Sequence, residues 1–382
     1  MFKRLLQIQQ TSQSAFLFGP RGTGKTAWVR QAFPEALYID LLDHREYSSL
    51  QADPGRLAAR VLQQGQSWIV IDEIQKIPAL LNEVHRLIEH HNCRFILTGS
   101  SSRSLKRAGT NLLAGRALTY HMHPLIAEEM AEHFDLQHAL LYGLLPMSYN
   151  TDAPAHFLES YVTTYLREEV LQEGLVRNLG TFTRFMEVAS FSQGSQLNVL
   201  GIAREVGVSR RVVEGYFEIL SDLLIALQVP CFTKRAQRVL STHPKFYYFD
   251  VGMFRSIRPK GPLDSPQEMA GPAFETLFLQ HLRAVIDYYR YDLQIYFWRT
   301  TTGLEVDFIV YGEQGLFAFE LKSSTYVAKA DLRCLKAFQD DYPMAQCYLI
   351  YGGAVEEQHG QIRVVSMQKV LMQLSAILGN VS

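Results

Sequence analysis

The sequence has few cysteines, no surplus of charge of either sign and no long hydrophobic run. Its four cysteines are scattered without a short paired spacing, so neither a zinc site nor a disulfide framework is predicted, and a reducing cytoplasm is favoured. The 37 Lys and Arg residues balance 38 Asp and Glu residues, which excludes a globally basic nucleic-acid binder but allows local basic patches. Glutamines interrupt the apolar N-terminal stretch, so we expect a soluble protein with no signal peptide and no membrane contact.

The length and composition indicate a multidomain globular protein. A chain of 382 residues is too long for one ordinary core and predicts two or three domains. Hydrophobic residues make up 47% of the chain and charged residues 20%, which is typical of globular proteins. Short apolar runs alternate with helical patterns in the first 125 residues, so the predicted fold class is α/β.

The first domain is organised around a glycine-rich segment, Gly19-Pro-Arg-Gly-Thr-Gly-Lys-Thr26. An apolar run precedes it and a helix-compatible segment follows, as a phosphate-binding loop requires. Glycines let backbone N–H groups close around a polyphosphate, and the helix N-terminus adds partial positive charge. We expect ATP here, with Lys25 at the terminal phosphates and Thr26 as a Mg²⁺ ligand. The predicted cofactor-binding residues of the loop are Gly19, Pro20, Arg21, Gly22, Thr23, Gly24, Lys25 and Thr26.

Two acids follow a predicted buried strand at residues 67–73, which ends in Asp72 and Glu73. Buried parallel strands deliver such acids to the carboxyl edge of a sheet, beside the phosphate loop. Asp72 would hold Mg²⁺ through its water shell, and Glu73 would orient or deprotonate the attacking water. The alternative is an ordinary strand with a solvated acidic end. The complete loop about fifty residues earlier favours the catalytic interpretation.

Two more positions could contact the nucleotide. The strand predicted at residues 94–100 ends in polar side chains, and Ser100 or Thr98 could sense the terminal phosphate; the alternative is a flexible polar loop. Arg116 could supply positive charge to a nucleotide in its own or a neighbouring subunit. Isolated arginines are usually surface residues, which is the alternative for Arg116.

The middle of the chain is predicted to be helical and then to form a winged helix. The pattern is helical over residues 126–179, and within residues 156–170 apolar residues recur at three- and four-residue steps, as on the buried face of one helix. In residues 199–220, Gly207 lies at a turn and Ser209 can cap a second helix, the spacing of a helix-turn-helix. Two apolar runs follow, at residues 224–232 and 245–249, with a basic wing between them.

The sequence allows the predicted winged helix to bind either DNA or protein. Arg210 and Arg211 at the start of the second helix could meet DNA phosphates. The wing cations that could join them are Lys234, Arg235 and Arg238. Glu205 and Glu214 dilute the positive face, which favours the alternative that the module binds protein.

The last domain is predicted to follow a non-regular linker at residues 258–272 and to run helix, three strands, helix, strand. Asp307 is expected on the second strand and Glu320 on the third, with Lys322 on the same face as Glu320. Asp307 and Glu320 would bind Mg²⁺, Lys322 would position water or stabilise phosphorane charge, and Glu275 could complete the site. This Asp, Glu-x-Lys arrangement and the αβββαβ order resemble PD-(D/E)XK nucleases and restriction-endonuclease-like folds. Cleavage and binding without cleavage both remain open.

These motifs together resemble the bacterial and archaeal AAA+ ATPases that carry a C-terminal domain of unknown function, DUF4143. The resemblance rests on Gly19-Pro-Arg-Gly-Thr-Gly-Lys-Thr26, Ile71-Asp-Glu-Ile-Gln-Lys76, Leu97-Thr-Gly-Ser-Ser101, Leu113-Ala-Gly-Arg116, Lys245-Phe-Tyr-Tyr-Phe-Asp-Val-Gly252, Phe274-Glu275 and Glu305-Val-Asp-Phe308. It implies a helical lid after the ATPase domain and a homo-oligomer with sites near subunit interfaces. The expected domains are an AAA+ P-loop domain at 1–125, a helical lid at 126–180, a winged helix-turn-helix at 181–257 and a nuclease-like domain at 258–382.

Two functions follow from these expectations. In the first, a Mg²⁺-dependent ATPase couples nucleotide state to a C-terminal region that binds DNA and could cleave it. In the second, a nucleotide-dependent switch binds a protein partner and cleaves nothing. The near-neutral charge and the glutamates of the second helix favour the switch.

Overall fold

The computed structural model describes residues 2–8, 13–65, 67–101, 113, 115–172, 176, 178–234, 238–241, 243–261 and 265–379. By its contacts the chain divides into two compact units, of which the smaller contains Arg4–Pro124 with Asp222–Leu224 and the larger contains the rest. No helix among the described residues combines the length and the apolar character needed to cross a membrane.

The smaller unit is built on a parallel sheet. Its strands are β1 (Ser14–Phe18), β2 (Leu37–Asp40), β3 (Trp68–Asp72), β4 (Arg94–Gly99) and β5 (Ala117–His121). Its helices are α1 (Lys25–Ala32), α2 (His44–Ala52), α3 (Arg56–Gln64) and α4 (Leu80–His91), with a 3₁₀ turn at Ile74–Lys76. The strand order is β2-β3-β4-β1-β5, and every pair is parallel. The carboxyl ends of β1, β3 and β4 therefore lie side by side, next to the loop that leads into α1.

Burial explains the sequence of the central strands. Every residue of β1 and β3 is buried, as expected for strands covered on both faces, and both sequences are accordingly almost wholly apolar. Helices α3 and α4 each bury one apolar stripe, which includes Leu57 and Val61 on α3 and Val84 and Leu87 on α4. The sheet is thus a rigid support for the polar residues at its carboxyl edge.

The larger unit begins with short helices. They are α5 (Ala127–Met130), α6 (Leu136–Tyr142), α7 (Pro146–Tyr149), α8 (Pro154–Ser160) and α9 (Arg167–Gln172), with a 3₁₀ turn at Ala131–His133 and a π-helical segment at Tyr161–Leu166. The helical pattern predicted for this region is present, but the π-helical segment divides what was expected to be one helix across residues 156–170. A helix, α10 (Leu179–Ser190), follows them.

Two helices and a small sheet follow in the larger unit. The helices α11 (Val199–Val206) and α12 (Arg210–Asp222) are separated by Gly207, whose left-handed backbone (φ 77°) favours glycine. The strands β6 (Ser195–Gln196), β7 (Ala226–Val229) and β8 (Lys245–Tyr248) form an antiparallel sheet with β8 in the centre. The central strand β8 is buried along its whole length.

A six-stranded sheet completes the larger unit. It is preceded by α13 (Val251–Ile257) and α14 (Pro266–Tyr289). Its strands are β9 (Leu293–Arg299), β10 (Glu305–Gly312), β11 (Gly315–Lys322), β12 (Gln346–Tyr351), β13 (Glu357–His359) and β14 (Ile362–Ser366), and its helices are α15 (Arg333–Asp341) and α16 (Met367–Gly379). A 3₁₀ turn at Lys329–Leu332 leads into α15. The order is β13-β14-β12-β11-β10-β9, with β9, β10 and β11 antiparallel and β11, β12 and β14 parallel.

The segment between β7 and β8 extends the six-stranded sheet. The N–H of Phe232 donates to the carbonyl of Phe297 (2.7 Å), and the N–H of Ser241 donates to that of Arg299 (3.0 Å). The Phe232 side chain is buried in the core of the six-stranded sheet. Residues 230–232 and 239–241 therefore lie along the edge strand β9. Residues 239–241 belong to the stretch where the sequence predicted a basic wing.

Two sequence expectations about the last domain differ from the structure. Residues 266–272 were expected to be non-regular, but α14 begins at Pro266 and contains Pro272. The side-chain hydroxyl of Thr276 donates to the carbonyl of Pro272 (2.5 Å), in the turn that follows the proline. The elements after residue 351, namely β13, β14 and α16, have no counterpart in the sequence prediction. The strands β13 and β14 are short and give a weak pattern, whereas α16 has an apolar stripe at helical spacing that the prediction overlooked.

A buried histidine ties α14 to α5. The Nε2 atom of His281 accepts a hydrogen bond from the N–H of Ala127 (2.9 Å), so Nδ1 carries the proton and donates to the carbonyl of Leu277 (2.8 Å). Burial lowers the pKa of His281 to about 4. The imidazole is therefore neutral at pH 7, and protonation would break the bond to Ala127.

We expect this histidine to make the larger unit sensitive to acid. The unfolded chain binds a proton at His281 below about pH 6.5, whereas the folded chain does so only near pH 4. The free energy of unfolding should therefore fall by up to about 3 kcal/mol as the pH drops from 6.5 to 4. Urea titrations of the native protein and His281→Gln across this range measure the difference, with the exposed His156→Gln as control. Parallel pH profiles for native protein and His281→Gln would contradict the assignment.

Candidate functional site

Three glycines determine the backbone conformation and packing of the glycine-rich loop. Gly22 (φ 81°) and Gly24 (φ 93°) have left-handed backbones that favour glycine. At Gly19 a side chain would collide with the carbonyl oxygen of Met122, and its N–H donates to the carbonyl of Gly99 (3.2 Å). The loop is therefore held against Gly99, the last residue of β4, and Met122, which directly follows β5. Pro20 and Arg21 lie within it, between Gly19 and Gly22.

Lys25 lies inside this loop. Its side chain is buried, and Nζ donates to the carbonyls of Gly19 (2.7 Å) and Pro20 (3.1 Å). The hydroxyl of Thr23 also donates to the carbonyl of Pro20 (2.8 Å). An ammonium held in the concavity of a glycine-rich loop at a helix N-terminus is suited to an anionic oligophosphate, whose oxygens are stronger acceptors than carbonyls.

Asp72 is the polar centre at the sheet edge. It is 1% exposed, and its carboxylate accepts hydrogen bonds from the hydroxyls of Thr26 (2.8 Å), Tyr38 and Thr98. Burial and the bond to Asp72 raise the pKa of Tyr38. Thr26 and Asp72, which the sequence assigned to one Mg²⁺, are thus in direct contact. Tyr38 was missed, because a single tyrosine in the short strand β2 gives no sequence signal.

Glu73 has an unusual backbone. Its φ of 61° is left-handed, a conformation that costs a non-glycine residue free energy and is often found at functional sites. Its N–H donates to the hydroxyl of Thr98 (3.1 Å). The amide of Gln75 donates to the Glu73 carboxylate and to the Ser100 hydroxyl (3.0 Å). Gln75 therefore bridges the two predicted site residues, a role that sequence reasoning missed.

Arg116 lies apart from these contacts. Its Nε donates to the carboxylate of Glu89 on α4, and the Arg116 side chain is 38% exposed. The Arg116 guanidinium lowers the pKa of Glu89.

A second polar centre lies in the larger unit around Lys245, which is 1% exposed. Its Nζ lies 2.5 Å from Glu305, 3.2 Å from Asp307 and 3.7 Å from Glu275. These residues come from β8, β10 and α14, which are distant in sequence. Sequence reasoning named Glu275 and Asp307 but missed Lys245; the one available signal is a lysine at the start of a fully buried strand.

The carboxylates of this centre have further protein donors. The hydroxyl of Tyr247 donates to Glu275 (2.6 Å), and Arg299 donates to Glu305 (2.7 Å). The N–H of Leu321 donates to Asp307 (2.9 Å). In addition, Lys322 donates to Glu320 Oε1 (2.8 Å), while Glu320 Oε2 is buried without a hydrogen-bond partner in the described structure. Burial, followed by the charge of Asp307, raises the pKa values of Glu275 and Glu320.

The sequence predicts a divalent metal at Glu275, Asp307 and Glu320. The arrangement of these residues does not fit a resident metal ion. An ammonium lies among the acids, and most of their oxygens already accept protein hydrogen bonds. Among the described residues, no group of three His, Cys, Asp or Glu side chains is arranged to hold a metal ion. The close pairing of Lys322 with Glu320 agrees with their predicted placement on one strand face.

The cations predicted to face DNA have internal partners. Lys234 Nζ lies 4.4 Å from the ring centre of Tyr311, and Arg238 donates to Asp341 (2.6 Å). Arg210 donates to Glu214 (2.7 Å). Arg235 lies outside the described residues, and Arg211 is exposed at the start of α12. Two of the predicted cations, Arg210 and Arg238, are therefore paired with acids of their own unit.

Family models match three consecutive parts of the chain. Residues 11–131 match an AAA domain, residues 133–264 match a domain of unknown function, DUF8612, and residues 270–370 match another, DUF4143. The first match contains the glycine-rich loop, Asp72 and Glu73. The third contains Glu275, and the sequences of β9 to β12.

Similar proteins include two bacterial relatives and one solved structure. An uncharacterized protein of Mycobacterium tuberculosis is 26% identical over 365 residues, which cover 92% of this chain and 79% of the relative. An uncharacterized protein of Haemophilus influenzae is 22% identical over 292 residues, covering 68% and 73%. The Aeropyrum pernix ORC1 protein, solved in complex with DNA, aligns over 71% of this chain and 88% of its own, with 15% identity and a TM-score of 0.26. A TM-score this low does not establish a common arrangement.

The matches to an AAA domain and to DUF4143, in that order, agree with the motifs quoted from both ends of the sequence. The parallel sheet and the loop between β1 and α1 are consistent with a P-loop domain of the AAA+ type. The chain therefore belongs to the AAA+ ATPase-like proteins that carry a C-terminal DUF4143 domain.

Proposed function

We propose that this protein binds ATP and hydrolyses it with Mg²⁺. The observation that carries the proposal is the grouping of Lys25 in the glycine-rich loop, Thr26 at the start of α1 and Asp72 at the end of β3. The 2.8 Å contact between the Thr26 hydroxyl and the Asp72 carboxylate supports a Mg²⁺ position, because both groups supply the hard oxygens that this ion prefers. When bound, the ion would neutralise charge on the phosphate oxygens.

Each remaining residue has a proposed role that agrees with its contacts. Backbone N–H groups of residues 19–26 and the Lys25 ammonium would hold the phosphates. Glu73 would orient the attacking water and accept its proton. Ser100 would contact the terminal phosphate. Gln75 contacts both Ser100 and Glu73, and would couple the presence of that phosphate to the position of the Glu73 carboxylate. Arg116 would leave Glu89 to reach a nucleotide in a homo-oligomer.

We further propose that the larger unit carries nucleotide state to a partner. Its proposed parts are a helical lid at 126–180, a winged helix-turn-helix at 181–257 and a nuclease-like domain at 258–382. The helix pair α11 and α12 with the sheet β6-β8-β7 supports the winged helix. The order α14-β9-β10-β11-α15-β12, with Asp307 on β10 and Glu320 on β11, supports the nuclease-like fold. The four free cysteines support a reducing compartment such as the cytoplasm.

The second candidate function is a switch that binds a protein partner and cleaves nothing. The contacts of three predicted DNA-binding cations favour this function over DNA binding. Lys234, Arg238 and Arg210 are all engaged within the larger unit. Cations already paired with carboxylates or rings contribute less to phosphate binding, because the pairing must first be broken. The poor fit of the carboxylate centre to a metal agrees with a partner that is bound and not cut.

We expect Lys25→Ala to lose nucleotide affinity. Removing an ammonium that bonds to phosphate oxygens should weaken ATP binding about ten- to hundredfold and abolish hydrolysis at micromolar ATP. Calorimetric titration and phosphate release measure the two effects. Lys76→Ala is the matched control, because that lysine lies over the ring of Tyr47 (5.7 Å) and should leave both values unchanged. Unaltered hydrolysis in Lys25→Ala would rule out the assigned site.

We expect Glu73→Gln to separate binding from turnover. Because glutamine cannot accept the proton of the attacking water, the rate constant of hydrolysis should fall about 10²- to 10⁴-fold, with ATP affinity retained. Single-turnover hydrolysis and nucleotide binding provide the comparison. Glu83→Gln, in an ion pair with Arg86 on α4, serves as control. Full turnover by Glu73→Gln would move the catalytic base elsewhere.

The ATP-bound Glu73→Gln protein also distinguishes the two partners. We expect linear, single-stranded and branched DNA to bind with affinities no tighter than the non-specific range of about 10⁻⁴ to 10⁻⁶ M, as measured by fluorescence anisotropy at low and physiological salt. The double variant Arg210→Ala/Arg211→Ala should behave identically. Nanomolar binding that falls steeply with salt, and that this double variant weakens, would instead establish a DNA partner.

A further inference from the structure

The carboxylate centre of the larger unit contains a cation of its own. Lys245 is 1% exposed, and its Nζ lies within 4 Å of Glu275, Glu305 and Asp307 at once. These acids, and Glu320 on the neighbouring strand β11, place negative charge around the ammonium. We infer that the Lys245 ammonium takes the place of a divalent cation, so that the native centre binds no metal and a latent metal site lies beneath this side chain.

The hydrogen bonds of the centre support this substitution. Lys245 itself bonds to the Asp307 oxygen Oδ1 (3.2 Å), and Leu321 occupies Oδ2 (2.9 Å). Both oxygens of Glu305 are likewise engaged, Oε1 by Lys245 and Oε2 by Arg299. A divalent cation would have to displace these donors and come close to an ammonium, whose like charge opposes it.

Space around the centre is also restricted. Gly194, in the loop before β6, is so near that an added Cβ atom would lie 3.1 Å from the Glu275 carboxylate. Mg²⁺ usually keeps several water ligands and requires near-octahedral geometry. The ammonium and the loop of Gly194 therefore both lie close to the Glu275 carboxylate.

The backbone around Lys245 holds its side chain in place. It begins the central strand β8, where Lys245 pairs with Gln196 on one side and Val229 on the other. Three residues farther, the N–H of Tyr248 donates to Gln193 (2.9 Å), whose amide donates to the hydroxyl of Thr276 (2.7 Å). Thr276 is adjacent to Glu275, so β8 and α14 are joined next to the ion pairs. These bonds fix the backbone from which the Lys245 side chain extends to the acids.

One carboxylate oxygen of the centre, Glu320 Oε2, is available as a ligand once the ammonium is removed. Glu320 Oε2 is buried and has no hydrogen-bond partner in the described structure, although buried carboxylate oxygens are normally paired. Together with Asp307, Glu305 and Glu275 it offers carboxylate oxygens, the ligand type of Mg²⁺ and Mn²⁺. Lys322 stays bonded to Glu320 Oε1 and Arg299 to Glu305 Oε2, which leaves Glu320 Oε2 and the oxygens that Lys245 releases. Loss of the lysine charge should therefore convert the centre into a site for these hard divalent cations.

Titration of Mn²⁺ into the full-length, nucleotide-free protein tests this inference, with free Mn²⁺ followed by electron paramagnetic resonance. The native protein and Asp307→Asn should bind Mn²⁺ equally, because the native centre holds none. Lys245→Met should gain one site at least about tenfold tighter than any in the native protein, and the double variant Lys245→Met/Asp307→Asn should lose it. Lys245→Arg keeps the charge and should gain no site. Lys369→Gln, which breaks an exposed ion pair with Glu356, is the matched control.

Two results would overturn the inference. One is Mn²⁺ binding by the native protein that Asp307→Asn removes, which would mean that the metal and Lys245 coexist. The other is a folded Lys245→Met protein, verified by circular dichroism, that gains no site. If Lys245→Met does not fold, the native protein and Asp307→Asn still decide the question. The centre contains no residue of the nucleotide loop, and its metal affinity is measured without ATP.

Discussion

The buried ammonium of Lys245 is the interaction on which the larger unit depends most. A charge that is 1% exposed is tolerated only when opposite charges and hydrogen bonds replace the water it has lost. Glu305, Asp307 and Glu275 provide that replacement from two other elements, β10 and α14. Removing Lys245 would take the shared cation away from three acids at once, so the lysine links β8 to β10 and α14.

The protein contains two buried carboxylate centres that differ in their donors. Asp72 in the smaller unit accepts hydrogen bonds from the hydroxyls of Thr26, Tyr38 and Thr98. Hydroxyls are neutral and can rotate, so they can yield to a cation or become its ligands. Asp307 in the larger unit accepts an ammonium hydrogen bond, and that charge competes directly with a metal. Similar acids at strand positions therefore support a cation site in one unit and oppose it in the other.

The sequence predicted the site whose residues are close together in the chain and missed the contact between residues that are far apart. The phosphate loop lies in one continuous segment, and Asp72 and Glu73 directly follow a buried strand, so local spacing was sufficient to group them. Lys245 lies about sixty residues from Asp307 in the chain, and a long-range contact of this kind leaves no local pattern. The π-helical segment Tyr161–Leu166 was likewise invisible, because its apolar periodicity matches that of an ordinary helix.

The contacts of the segment between β7 and β8 determine how the larger unit can move. Phe232 contributes both a backbone hydrogen bond to β9 and a buried ring to the core of the six-stranded sheet. Arg238 and Lys245 add ion pairs to Asp341 and to the acids of β10. A hinge between residues 181–257 and 258–382 would have to break all of these together, and each broken buried pair would expose an uncompensated charge. The three-stranded and six-stranded sheets are therefore joined through a backbone edge, a buried ring and several ion pairs.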